Sequence, residues 1–273
     1  MLGIDEAGRG PVLGDMVYGS AFCRVADKEY LAQQKYADSK TLTEDKRERL
    51  FELLKADDKM GWNVDVITPA TLSAKMLRKT KESLNKNSHE SAAGLVQTAI
   101  DAGVNICEIY VDTVGDPGRY QEILEKKFPG VRCTVAPKAD SLYPIVSAAS
   151  IAAKVTRDFN LKNWCFKESV KASKQFGSGY PGDPDTKSWL EDNFEPHFGY
   201  PNIVRFSWAT TKKICDERGI DVEWEADVED DLKGVATLNF GKKRSLPVAQ
   251  TKSSGVNRHP YFKSRKLQRG VDF

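Results

Sequence analysis

Short apolar runs alternate with stretches of helical spacing from residue 1 to about residue 220. Residues 2–5 and 17–23 read as strands, and Trp62, Val64 and Val66 alternate apolar with polar as another strand would. The run ICEIYVD at 106–112 predicts a buried strand, and 131–135 predicts a further one. Helices are predicted between them. Thr41-Leu-Thr-Glu44 resembles a capping box leading into Leu50, Phe51, Leu53 and Leu54. Further helices are predicted over 69–84, 91–102, 117–127, 185–193 and 207–218, and over the Ala/Ser-rich stretch 140–158, with Pro144 in its first turn. This alternation implies an α/β fold with a mixed sheet flanked by helices. The pattern fades past about residue 220, and residues 241–259 read as a linker.

Composition narrows the class. With 40% hydrophobic and 29% charged residues, the chain of 273 is neither a disordered polymer nor a fibre. No apolar run approaches the roughly 20 residues of a membrane span, and acids at Asp5 and Glu6 stand where a signal peptide would be apolar. Membrane insertion and secretion are not expected. Five scattered cysteines without a CxxC pair, and only three histidines, argue for a reducing compartment and against structural zinc. Any bound metal must then be held by carboxylates, which suits magnesium or manganese. The net charge of +2 hides an asymmetry: residues 232–273 hold ten basic and one acidic side chain, whereas the preceding 231 carry a net −7. A basic tail suits a nucleic-acid enzyme and equally suits a solvated flexible segment.

Several short motifs can carry chemistry. In Gly3-Ile-Asp5-Glu6-Ala-Gly8-Arg9-Gly10-Pro11, two acids close a strand and a glycine-rich turn follows, where N–H groups can meet ligand oxygens. A dinucleotide fingerprint fails, because Leu13 stands where its third glycine belongs. A structural turn with exposed acids is the plain alternative. Asp112 closes a buried strand, where α/β sheets place functional groups, but reads equally as a helix cap. Asp140 heads a helix, where capping alone explains it. In combination, four carboxylates gathered in one place would repel unless cations neutralised them. Two divalent ions about 3.5–4 Å apart would do so, and they are the usual apparatus of phosphodiester hydrolysis. Tyr180, inside Gly177-Ser-Gly-Tyr-Pro-Gly-Asp-Pro184, can stack on a base or sugar, or can anchor its loop to the core. Lys40 can contact phosphate, or be an ordinary surface lysine.

The blocks DEAGRGPVLG, ADSKTL, YVDTVG, KADSLYPIVSAASIAAKV and GSGYPGDP, in that order and with FGYPNIVRFSW after them, resemble ribonuclease H of type 2, in its eukaryotic form the catalytic member of a heterotrimer. The likeness covers roughly residues 2–225. It implies an RNase H-like fold, cutting of RNA in RNA–DNA hybrids, and incision 5′ to a single ribonucleotide in duplex DNA. It carries the metal ligands onto Asp5, Glu6, Asp112 and Asp140, for two Mg2+ or Mn2+ ions. It places 2′-hydroxyl reading on Gly8, Arg9 and Gly10, stacking on Tyr180, a phosphate contact on Lys40 and structural support on Arg157. The hydroxyl is the group that distinguishes RNA from DNA. The implied organisation is a catalytic domain over 1–195, a helical extension over 196–231 for docking accessory subunits B and C, and a flexible basic tail over 232–273. Nuclear location and a natural segment ahead of the catalytic strand follow from the same resemblance. The alternatives are a monomeric prokaryotic-type enzyme and a noncatalytic hybrid-binding subunit.

Overall fold

A computed structural model describes residues 1–34, 36, 39, 42–168 and 172–220, and among them five strands build one mixed sheet. These are β1 (Leu2–Ala7), β2 (Met16–Cys23), β3 (Met60–Ile67), β4 (Glu108–Asp112) and β5 (Arg132–Ala136), in the spatial order β3-β2-β1-β4-β5. Central β1 runs antiparallel to β2 and parallel to β4, while β3 and β5 complete the edges. The α/β architecture expected from the sequence is present.

Alternation along β1 sends its residues to two faces. Leu2 and Ile4 are fully buried against Ala92 and Val96 of α4 (Leu84–Asp101) and Tyr120 and Leu124 of α5 (Pro117–Lys127). Each such side chain contributes about 1.5–3 kcal/mol by leaving water. Gly3 faces the opposite layer, where α7 (Pro144–Lys162) crosses the sheet. A Cβ on Gly3 would lie 2.5 Å from the carbonyl carbon of Ile145, so only glycine allows this approach. The small buried residues of α7, from Ser147 to Ala153, make the same approach possible from the helix side.

Helices α1 (Lys28–Gln33), α2 (Glu44–Ala56), α3 (Pro69–Leu77), α6 (Ala139–Leu142), α8 (Pro184–Asp192) and α9 (Ala209–Arg218) complete the described elements. Val12 and Leu13, just past β1, pack with Phe176, Trp189, Leu190, Tyr200, Ile203 and Val204. A bridge between Leu13 and Val204 ties the same two regions.

Some boundaries differ from expectation. The helix predicted over 69–84 stops at Leu77, where Arg78 turns extended, and α4 begins at Leu84 instead of 91. Ser83 caps that start by accepting the Lys86 N–H. The single helix predicted over 140–158 is two: Tyr143 is extended, as a residue before proline prefers, so Pro144 opens a new helix. Helix α2 begins at Glu44 with Thr43 at its N-cap, so Glu44 is not the third residue of a capping box, and Thr41 lies outside the described residues. The short α1 escaped notice because a single buried residue, Leu31, gives no periodicity. The linker, the basic tail and Lys40 lie outside the described residues.

Candidate active site

The β1–β4 register pairs Leu2 with Ile109 and Ile4 with Val111, and its next step sets Asp5 beside Asp112. Both strands run the same way, so the two carboxylates meet at their carboxyl ends on the α7 face. Asp5 is 2% exposed. Its Oδ1 accepts the Glu6 N–H at 2.7 Å, while Oδ2 is buried with no hydrogen-bond partner among the described residues. Burial first, then the charges of Glu6 and Asp112, pushes the Asp5 carboxyl well above the usual acid range. The Ser150 hydroxyl of α7 and the Glu6 N–H partly oppose this.

Asp112 Oδ1 accepts the Ala139 N–H at 2.8 Å, which fastens the end of β4 to α6 and brings buried Asp140 alongside. Ser147 of α7 donates to the Asp140 carbonyl at 2.5 Å. Lys138, just before, has φ 55°, unlike any other non-glycine among the described residues. That conformation costs about 1–2 kcal/mol and is held by the bonds around it. Glu6, one residue along β1 from Asp5, is on the other face. Tyr18 and Tyr120 are buried there, and burial first, then Glu6, raises both phenol pKa values.

Among the described residues, no three His, Cys, Asp or Glu side chains form a ready-made metal-holding group. The donor chemistry nevertheless suits a hard divalent cation: oxygen ligands only, one buried carboxylate oxygen lacking a partner among the described residues, and neighbouring acids that raise the Asp5 pKa. Asp5, Asp112, Asp140 and Glu6 are the residues that could hold it.

The glycine-rich turn is braced from behind. Arg205 is fully buried and donates to the carbonyls of Gly14 (2.9 Å), Arg9 (3.2 Å) and Gly8 (2.6 Å). Trp208 Nε1 donates to the Gly10 carbonyl at 3.0 Å, and its ring lies 4.7 Å from the Arg205 guanidinium. Burial, with neighbouring Arg157, lowers the Arg205 pKa to about 9, so the side chain stays charged at neutral pH. The Arg9 side chain is tied to α4, donating to Ser88 Oγ and Asn85 Oδ1, both at 2.5 Å. Gly8 has φ +80°, and a Cβ there would strike the Arg157 guanidinium. Gly8→Ala is therefore expected to cost about 1–2 kcal/mol from the left-handed backbone alone, and more from the clash. A melting curve unchanged from the parent would contradict this.

Tyr180 stands at this turn. It is 52% exposed, and its ring carbon Cε1 lies 3.0 Å from where a Gly10 Cβ would be. The Val12 N–H donates to the Gly179 carbonyl at 2.8 Å, joining the two loops. The structure thus brings Asp5, Glu6, Asp112 and Asp140 to one end of the sheet, with Gly8, Arg9 and Gly10 following directly from β1 and Tyr180 on the loop that adjoins them. Lys40 is not described, but its neighbour Ser39 is buried against Ser150, 2.7 Å between hydroxyls. Arg157 donates to the Leu13 carbonyl, in keeping with a supporting role.

Sequence reasoning assigned no role to Arg205, Trp208, Asn85 or Ser88. One signal was available: an arginine inside the apolar run Ile203-Val204-Arg205-Phe206 has to find buried partners.

Comparison with known proteins gives a consistent answer. Residues 2–211 match the family model described as Ribonuclease HII. The A subunit of ribonuclease H2 from Arabidopsis thaliana is 49% identical over 286 residues, covering 100% of this chain and 95% of that protein. Its Homo sapiens counterpart is 47% identical over 272 residues, covering 98% and 89%. Among solved structures, the ribonuclease H2 from Pyrococcus horikoshii OT3 superimposes with a TM-score of 0.67 at 35% identity, covering 79% of this chain and 97% of that one. This chain therefore has the fold of the ribonuclease HII structures. The chain belongs to the ribonuclease HII family and is an endonuclease of ribonuclease H type.

Proposed function

We propose that this ribonuclease H, which hydrolyses RNA in RNA–DNA hybrids, also incises duplex DNA 5′ to a single embedded ribonucleotide. The observation that carries this reading is the Tyr180 ring over Gly10, next to the acidic end of the sheet. A trans peptide points its carbonyl and its N–H in opposite directions. The carbonyls of Gly8 and Arg9 are taken by Arg205, so the N–H groups of Arg9 and Gly10 lie on the opposite side of the turn, where a ribose hydroxyl can meet them. A ring stacked on the neighbouring sugar or base reads the same position.

Asp5, Glu6, Asp112 and Asp140 would hold two divalent cations, magnesium or manganese. Bound there, such ions supply activation of the attacking water and positive charge for the leaving oxygen. The residues of the chain hold the scissile phosphate against the acids through the turn and Tyr180, and the products carry 3′-hydroxyl and 5′-phosphate ends. Because the relatives are named as one lettered component of ribonuclease H2, the first, we infer further that the chain works with accessory subunits B and C. Residues 196–220 contribute to the surface that would dock them, and Phe198 there is 87% exposed.

A labelled DNA duplex with one ribonucleotide, incubated with the protein and magnesium, tests the reading. A single cut 5′ to the ribonucleotide, stopped by EDTA and dependent on or enhanced by the two partners, is the expected result. Chelator-resistant cleavage would defeat the metal assignment. Silence on this duplex, with hybrid still cut in the presence of both partners, would defeat the ribonucleotide assignment.

A further inference from the structure

We propose that Asp183 is the positioning residue for Tyr180 and thereby sets the preference for an isolated ribonucleotide over continuous hybrid. This rests on Tyr180 sensing the ribonucleotide, as proposed for the site. The Tyr180 side chain is half exposed, so its place over Gly10 has to be fixed through its backbone. Asp183 controls that backbone from both sides. Its N–H donates to the Tyr180 carbonyl at 3.1 Å, closing the Tyr180–Asp183 turn. Its Oδ2 accepts both the N–H (2.6 Å) and the hydroxyl (2.5 Å) of Ser178. Ser178 Oγ in turn accepts the Tyr180 N–H at 3.4 Å.

The other carboxylate oxygen serves the scaffold. Oδ1 accepts the Asp185 N–H at 3.0 Å as the N-cap of α8, so one carboxylate joins a helix to the Ser178 side of the turn. Thr186, in the first turn of α8, continues the anchor by accepting the Gly179 N–H at 3.0 Å and donating to the Phe176 carbonyl at 2.7 Å. Gly177 leaves room for the carboxylate, since a Cβ there would lie 2.7 Å from Oδ2. The Ser178 bonds hold the Asp183 carboxyl below the usual acid range, which keeps both oxygens acceptors. Asparagine cannot replace it: its single oxygen can serve Ser178 or Asp185, and its amide opposes a donor at the other.

The two roles separate experimentally. Asp183→Ser keeps a good helix cap but is too short to reach Ser178. We would measure kcat/KM on a duplex with one ribonucleotide and on a continuous RNA–DNA hybrid, using the protein with whatever partners its activity requires. In Asp183→Ser and Asp183→Asn, the ratio of the two is expected to fall by about tenfold, the factor carried by one hydrogen bond to a charged group. Asp183→Ser should melt close to the parent, so the lost ratio is not a folding defect. Tyr180→Ala should lose the ratio too, and the double variant Tyr180→Ala/Asp183→Ser should be no worse than Tyr180→Ala alone. If Tyr180→Ala loses the ratio and the Asp183 variants keep it, this proposal fails while the reading of Tyr180 stands. If Tyr180→Ala itself keeps the ratio, the reading of Tyr180 fails and the proposal with it.

Discussion

Asp5→Asn is expected to eliminate cleavage while making the metal-free protein more stable. Asparagine keeps the shape of the side chain and can still accept the Glu6 N–H, but it cannot offer a charge to a cation. Activity should fall by more than about 100-fold, since even groups that only support a metal ligand cost about 10–100-fold when removed. The stability gain comes from the opposite side of the same design. Burial, Glu6 and Asp112 all disfavour the Asp5 charge, and relief of even one pKa unit is worth about 1.4 kcal/mol. The sign with pH follows. A carboxyl whose folded pKa is raised carries its full penalty above that pKa, and the penalty disappears as pH falls through it. The gap between variant and metal-free parent should therefore close on acidification. Cleavage of hybrid in magnesium and thermal melts in EDTA across pH check all three points. A variant that cuts normally in magnesium would remove Asp5 from the site.

Arg205→Gln is expected to cost both stability and activity, although residue 205 lies far from the acids in sequence. Three carbonyls of the substrate-side turn, those of Gly8, Arg9 and Gly14, depend on this one guanidinium. Leaving a buried acceptor unsatisfied costs about 1–3 kcal/mol, so a loss of at least about 3 kcal/mol is expected. For a domain of this size each kcal/mol lowers the melting temperature by about 2–4 °C. Arg205→Lys should rescue little, because a point-like ammonium cannot span the three acceptors that a planar fork reaches. Since the bonds fix the turn, kcat/KM on the single-ribonucleotide duplex should fall even well below the melting temperature. A Gln variant that melts and cuts like the parent would show that the carbonyls find other partners.

The acids were legible because each sits where local pattern already speaks. Asp5 and Asp112 close apolar runs, and Asp140 precedes a run of small residues. Tyr180 was legible from its Gly/Pro surroundings. The residues that brace these groups were not. Asn85 and Ser88 lie in an ordinary polar stretch, and only the fold carries Arg9 to them across 76 and 79 residues. The two faces of β1 were also hidden: alternation predicts that Asp5 and Glu6 diverge, but not that Glu6 meets two buried phenols. Helix boundaries at Leu77 and Pro144 depended on single backbone turns, which periodicity does not encode.

The brace on the turn also has a consequence in time. Gly8 and Arg205 are 197 residues apart, so a ribosome releases the acid-bearing strand and its turn nearly two hundred residues before their clamp. Contacts of such long range form only once both ends exist. A nascent chain that has exposed β1 through α7 already holds the four acids, yet its turn carbonyls still face water and its tyrosine loop has nothing to seat against. Translation therefore delivers the four acids before the brace, and the turn gains its Arg205 and Trp208 bonds only when residues 205–208 have cleared the exit tunnel.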